Sequence, residues 1–234
     1  MSNENNMKTI VVTGASRGIG RGIADHLQQN GYHVIGVSRS EPEGDPEFEW
    51  RQADVSDYES LRSAFSDLRR KSNLYALINS AAVASMNLLP ITPPETIDRL
   101  IGTNLIGTIY CCRALSPALI KSKGRRIINL SSVGVQLGLK GVAVYVASKA
   151  GVDGFTRSFA REMADHNITV NVISPGPIDT FMISRLPDEQ VDAVVDRQII
   201  QRRGDINDIN NIVSLLLSPE SDMITGEIIK VGGI

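Results

Sequence analysis

The chain has 234 residues, 42% of them hydrophobic and 21% charged, with a formal net charge of -2. That is ample material for the core of one α/β domain covering residues 1–234, and it argues against a surface built to grip nucleic acid. No apolar run approaches the roughly 20 residues that span a bilayer, and the opening MSNENNMK lacks the charged-then-apolar order of a secretory signal.

Taken in chain order, KTIVVTG (Lys8–Gly14) reads as a buried strand, IGRGIADHLQQNG as a helix ending at Gly31, and YHVIGVS as a second strand. SEPEGDPEFE (Ser40–Glu49) has the composition of a surface loop. FEWRQADVSD supplies a short strand, and Ser56 is placed to cap the helix YESLRSAFSDLRR. LYALINS is the next strand, followed by a long helix from about Glu95 to Ile120. RRIINLSS, ITVNVIS and EIIKVGG complete the strands, and a further helix runs over Tyr145–Ala164. Strands apolar on both faces and separated by helices predict a doubly wound, Rossmann-type parallel sheet with helices on each side. Cys111 and Cys112 are adjacent, which suits neither a disulfide framework nor a metal site, and a reducing cytoplasm is the expected location.

TGASRGIG (Thr13–Gly20) places three glycines between the first strand and the first helix. Glycine costs backbone entropy, so a cluster of it asks for a close approach. A helix N-terminus preceded by such a turn offers free N–H groups to a pyrophosphate. The spacing T-G-x-x-x-G-x-G differs from G-x-G-x-x-G, and a ligand-free tight turn is the simpler alternative. The second strand ends in VSRS, where a carboxylate would hold the ribose 2′-OH of NAD. Ser38 and Arg39 stand there instead, and Arg17 lies within the loop. Two guanidiniums beside one ribose favour the 2′-phosphate of NADP(H).

Tyr145 and Lys149 are four apart on the predicted helix, so they face the same way about 6 Å apart. A free phenol titrates near 10, and a neighbouring ammonium would lower that value. Ser132, at the end of the fifth strand, is placed to hold a carbonyl oxygen.

These residues and the motifs TGASRGIG, ADVSD, INSAA, TNLIGT, INLSSV, YVASKAG and NVISPGPIDT are similar, in the same order, to those of the short-chain dehydrogenase/reductase family over essentially the whole chain. The resemblance implies Tyr145 as catalytic acid/base, Lys149 as ribose contact and modulator of Tyr145, and Ser132 as carbonyl holder, with Ser131 its non-catalytic neighbour. It implies that Asn104 holds a water in a proton relay. The implied cofactor contacts are Gly14, Ser16, Arg17, Gly18, Ile19, Gly20, Ser38, Arg39, Asp54, Val55, Asn79, Pro175, Gly176, Ile178 and Thr180, besides Tyr145 and Lys149. Two departures stand out: NSAA, with Ser80 and Ala82, replaces NNAG, and KVGG replaces VDGG.

VASMNLL, VGVQLGLKGV and FMISRL are expected to line a mainly apolar pocket that includes Val133, Leu137, Leu139, Phe181 and Met182, with Gln136 and Lys140 as polar contacts. The motifs look most like those of bacterial 3-oxoacyl-(acyl-carrier-protein) reductases, which dock an acidic carrier on a basic patch beside the pocket. Lys121, Lys123, Arg125 and Arg126 could supply part of it, whereas the other usual basic position is His166. A helix end also accounts for such cations. Another ketone, sugar or steroid-like alcohol remains an alternative substrate, and a non-catalytic NADP(H)-binding regulator an alternative class. Ile97, Ile101, Leu105 and Ile109 on one long helix, with Val152, Phe155, Phe159 and Met163 on the other, exceed a single core-facing stripe. The resemblance implies a homotetramer built through these helices.

Overall fold

Val11, Ile35, Val37, Leu77, Ile127 and Val170 belong to one apolar layer, while their strand neighbours Ile10, Val12, Val34, Ala76, Ile78 and Ile128 belong to another. Alternate residues of a strand point to opposite faces, so both faces of this sheet are buried. The computed structural model describes residues 7–68, 73–180, 182–185 and 187–234. Its strands are β1 (Thr9–Thr13), β2 (His33–Ser38), β3 (Glu49–Gln52), β4 (Leu74–Asn79), β5 (Arg126–Leu130), β6 (Thr169–Ser174) and β7 (Ile228–Lys230). All pair in parallel, in the order β3-β2-β1-β4-β5-β6-β7, as expected of a doubly wound sheet.

One layer is covered by α2 (Tyr58–Ala64), α4 (Gly107–Ser122) and α6 (Ala143–Ala164), the other by α1 (Gly18–Gln29) and α8 (Ile206–Leu217). Winding reverses between β1 and β4, and such a reversal leaves a crevice at the carboxyl ends of the strands. Thr13 Oγ1 accepts the N–H groups of Ser80 and Ala81 at 3.1 and 3.2 Å, which fixes the two lips of that crevice. No helix among the described residues is long and apolar enough to cross a membrane.

Several elements depart from the sequence expectations. The helix expected over Glu95–Ile120 is α3 (Pro94–Ile101), a π-helical turn at Gly102–Ile106, and α4, with the Gly107 N–H reaching the Gly102 carbonyl. Apolar periodicity cannot distinguish one widened turn from a regular one. Asp57, not Ser56, caps α2: its carboxylate accepts from the N–H groups of Glu59 and Ser60, while Ser56 donates to Asp54. The rest of that predicted helix includes Arg69 and Arg70, which lie outside the described residues. Short α3, α5 (Gly134–Leu137) and α7 (Asp188–Val195) flank the crevice, and α8 starts from a reciprocal cap between Asp205 and Asp208. In the excess apolar stripe, Val152 and Met163 join the core, whereas Ile97, Ile101, Leu105, Ile109, Phe155 and Phe159 stay half-buried.

The basic segment before β5 divides in two. Lys121, Lys123 and Arg125 are exposed at the amino end of β5, as is His166 ahead of β6, and this is the end of the sheet opposite the crevice. They do not form a patch beside the pocket. Arg126 is not a surface cation at all: it is 1% exposed. Its guanidinium donates to the carbonyls of Leu216 and Ser218 at 2.6 and 2.7 Å and pairs with Asp222, closing the carboxyl end of α8. Arg126→Met should therefore lose about 2–3 kcal/mol of unfolding free energy, because a hydrogen bond from a charged donor contributes about 1.5–3 kcal/mol, while Ser221 Oγ still donates to both carbonyls. Arg125→Met, on the surface, should change it by less than about 0.5 kcal/mol. Urea unfolding of both variants checks the contrast.

Candidate active site

The turn after β1 has no room for a side chain at Gly14 or Gly20. Gly14 has φ +73°, and a Cβ there would sit 2.7 Å from the Ala81 Cα. A Cβ on Gly20 would fall on the Gly14 carbonyl oxygen. Gly18 has φ +62° and opens α1, whose N-cap, Arg17, makes no side-chain cap and whose first turn holds no acid. The helix therefore presents free N–H groups and its positive end to the crevice, a site matched to a phosphate. This cradle fits the pyrophosphate of a dinucleotide.

The crevice is a cavity of about 550 Å³. It is lined by Gly14, Ser16, Arg17, Gly18, Ile19 and Gly20 from the turn, Ser38 and Arg39 after β2, and Asp54 and Val55 after β3. Ser132, Tyr145 and Lys149 line it too, as do Pro175, Gly176, Ile178 and Thr180 after β6. Ser80 and Ala82 of the unusual NSAA segment face it directly. Arg39 is 57% exposed, with Nη1 4.0 Å from Asp54 Oδ2.

Two predicted site residues lie elsewhere. Asn79 is buried behind the wall, where its Nδ2 donates to Asn129 Oδ1 at 2.8 Å, so it braces β4 against β5 and does not contact the cavity. Asn104 is 0% exposed and likewise off the wall. Its Oδ1 accepts the Val83 N–H at 2.8 Å, and its Nδ2 donates to the Val83 carbonyl at 2.9 Å and to Ser148 Oγ at 3.0 Å. Its own carbonyl accepts from Thr108 Oγ1. Asn104 thus brackets the loop after β4 to α6. The bracket reaches the chemistry, since Ser148 Oγ donates to the Tyr145 carbonyl at 2.6 Å.

Ser132 Oγ accepts the Gly134 N–H at 3.1 Å, and the Ser132 hydroxyl acts on the neighbouring Tyr145 phenol. Burial pushes the Tyr145 phenol above its ordinary value, and the Ser132 hydroxyl draws it partly back. Lys149 is 3% exposed, and its Nζ donates to the Leu130 carbonyl at 2.7 Å. Burial brings it down to about 8, against an opposing pull from Asp153.

Toward the mouth the wall is formed by Val83, Met86, Leu139, Val142, Met182, Val191 and Val194, with Ser85 and Gln190 among its polar members. Gln136 and Lys140 are exposed and off the wall, Leu137 is buried behind it, and Phe181 lies outside the described residues. Sequence reasoning missed the contribution of α7, since PDEQVDAVVD carries too few apolar residues to announce a helix. It also missed Arg99 on α3 and Thr103 within the π-helical turn.

The Lys149 shift has a sign that can be measured. Between pH about 8 and 10.5 the unfolded chain holds a proton on Lys149 that the folded chain has released, so this group's contribution to stability rises with pH there. Below pH 8 its full cost is present. Lys149→Met removes the cost, so its stability relative to the native chain should fall by up to about 1.4 kcal/mol per pH unit over that window. Urea unfolding at pH 7, 8.5 and 10 reads the difference, and a pH-independent difference would contradict the assignment.

The family model described as enoyl-(acyl carrier protein) reductase matches residues 14–233. The chain is 37% identical to the 3-oxoacyl-[acyl-carrier-protein] reductase of Staphylococcus aureus (strain Mu50 / ATCC 700699), covering 97% of each chain. It is 37% identical to the enzyme of that name from Escherichia coli (strain K12), over 97% of this chain and 96% of the relative. Among solved structures, ligand-free aldohexose dehydrogenase of Thermoplasma acidophilum aligns with TM-score 0.88 at 27% identity, over 98% of this chain and 94% of its own. ElxO with NADP bound aligns with TM-score 0.87 at 26% identity, over 96% and 97%. With the glycine cradle, the crevice at the sheet's switch point and the Ser132–Tyr145–Lys149 cluster, these matches place the chain in the short-chain dehydrogenase/reductase family of oxidoreductases.

Proposed function

We propose that this protein reduces the 3-carbonyl of acyl thioesters with NADPH. The observation that carries the reading is the apolar wall beyond Ser132 and Tyr145, formed by Val83, Met86, Leu139, Val142 and Met182 with Val191 and Val194 of α7. An acyl chain gains about 0.8 kcal/mol for each methylene buried there. A sugar would instead leave several hydroxyls facing carbon, each short of a partner at about 1–3 kcal/mol. The relatives named as 3-oxoacyl-[acyl-carrier-protein] reductases support the same substrate class. Where a carrier protein would dock is not given by the basic residues at the amino end of β5, which face away from the mouth. The half-buried row on α3, α4 and α6 is the face we assign to self-association.

Bound NADPH supplies the hydride that adds to the carbonyl carbon. Tyr145 donates its proton to the carbonyl oxygen, completing a secondary alcohol, and Ser132 holds that oxygen through its hydroxyl. An unionised phenol is the form required for this direction, and burial of Tyr145 maintains it. An ammonium has three donors. The Leu130 carbonyl takes one from Lys149, which leaves the others for the nicotinamide ribose. Arg17 and Arg39 supply positive charge for the 2′-phosphate.

A positioned general acid contributes about 10²–10⁴ in rate. Tyr145→Phe should therefore lose that much in kcat on a 3-oxoacyl thioester, with NADPH binding little changed; near-normal kcat would remove the centre of the proposal. For the cofactor, Arg39→Asp should raise KM for NADPH and lower it for NADH. A native protein that uses the two cofactors with equal kcat/KM at moderate ionic strength would refute the choice of NADPH.

A further inference from the structure

Ser38, Arg39 and Ser40 form the rim of the cavity after β2, yet the Ser38 hydroxyl, predicted to face the cofactor, is already committed. It donates to the Ser40 carbonyl at 2.8 Å and accepts the indole N–H of Trp50 at 2.8 Å. Two positions along β3, Gln52 Nε2 donates to the Arg39 carbonyl at 3.0 Å. The Ala53 N–H donates to the Ser38 carbonyl at 3.0 Å. Neither Trp50 nor Gln52 lines the cavity. Residues two apart on a strand share a face, so the edge strand β3 holds the rim through one row of side chains. Arg39 has its backbone fixed and its guanidinium exposed, and among the described residues its ion pairing is the long approach to Asp54.

We propose that Trp50 and Gln52 are positioning residues for cofactor discrimination, holding the Ser38–Ser40 rim so that Arg39 meets a 2′-phosphate on the adenosine ribose. The inference rests on the NADPH reading above. An arginine on a wandering backbone must be ordered when the anion arrives, and that ordering is subtracted from affinity. An arginine on a pinned backbone has lost that freedom beforehand. The advantage belongs to the 2′-phosphate alone, since a 2′-hydroxyl gives the guanidinium no charge to meet. Trp50 is half-buried against the α1 and α8 side of the sheet, so Trp50→Phe keeps an aromatic ring in that contact while removing the N–H. Gln52 is exposed, which makes Gln52→Ala an independent second variant.

The test is calorimetric binding of adenosine 2′,5′-bisphosphate and of 5′-AMP to the full chain, with no turnover involved. Trp50→Phe and Gln52→Ala should each weaken the bisphosphate about three- to tenfold while 5′-AMP changes less than twofold. In an Arg39→Ala background the same substitutions should no longer alter the ratio of the two affinities, because the residue they act through is gone. Equal weakening of both ligands, no weakening of the bisphosphate, or an undiminished effect without Arg39 would each overturn the inference. Failure of the underlying reading looks different: the native chain would bind the two ligands equally, and the inference would fall with it.

Discussion

The backbone contact between the turn after β1 and the exit of β4 governs the rest of the molecule. Gly14 lies against Ala81 too closely for any side chain, and Gly20 lies against Gly14 in the same way. Thr13 Oγ1 then ties the two strand ends with bonds to Ser80 and Ala81. Because β1 and β4 are the pair at which winding reverses, pinning them fixes the width of the crevice and aims the start of α1 into it. A larger residue at Gly14 or Gly20 would force the strands apart and turn the helix end away from the anion it is shaped to meet. The turn's sequence and the cofactor site are thus one constraint.

Behind that wall a layer of buried polar groups connects the sheet to the catalytic helix. Asn79 donates to Asn129, and Asn129 donates to Thr156 on α6 at 2.9 Å. Asn104 joins Val83 to Ser148, and Ser148 holds the Tyr145 carbonyl. Buried polar groups that find partners rigidify a core, because breaking any one bond in a low-dielectric interior leaves a costly orphan. Tyr145 thus stands on a helix turn that is fixed from two directions, facing the cavity that Ser132 also lines. The π-helical turn at Gly102–Ile106 belongs to the same device: it brings Asn104 into register with both Val83 and Ser148.

The parts legible in the sequence were those whose chemistry depends on local spacing. Glycines at fixed offsets after a strand, a tyrosine and lysine one turn apart, and a serine at a strand end each carry their geometry with them. The parts that were not legible depend on what meets across the fold. Asn79 and Asn104 have the right neighbours in sequence to be cofactor and relay residues, but their bracing bonds to Asn129, Val83 and Ser148 show only in the fold. Arg126 sits in a run of cations, and only the placement of α8 shows that it is buried beneath that helix. The Asp205–Asp208 cap escaped because its second acid is an aspartate in place of the usual glutamate or glutamine. Trp50 carries no motif at all; its role appears only when β3 is paired with β2, bringing its indole to Ser38.

The two halves of the cavity follow opposite rules, and Lys149 stands where they meet. The cofactor half offers backbone N–H groups and arginines to charge, and it stays open enough for Arg39 to keep its hydration. The substrate half is carbon-lined, which excludes water and strengthens any proton transfer made within it. Burial of the Tyr145 phenol on that boundary keeps it protonated for donation to an oxygen. The same burial lowers Lys149 to about 8, so the fold bears a destabilised cation at neutral pH. The Leu130 carbonyl and Asp153 keep that cation from being lost altogether. A group held near its titration point can take up or release a proton with little free-energy change, which is the property a site needs if it is to restore a phenol proton after each turnover. The cost in stability and the capacity for proton exchange have a single source, the exclusion of water from this part of the cavity.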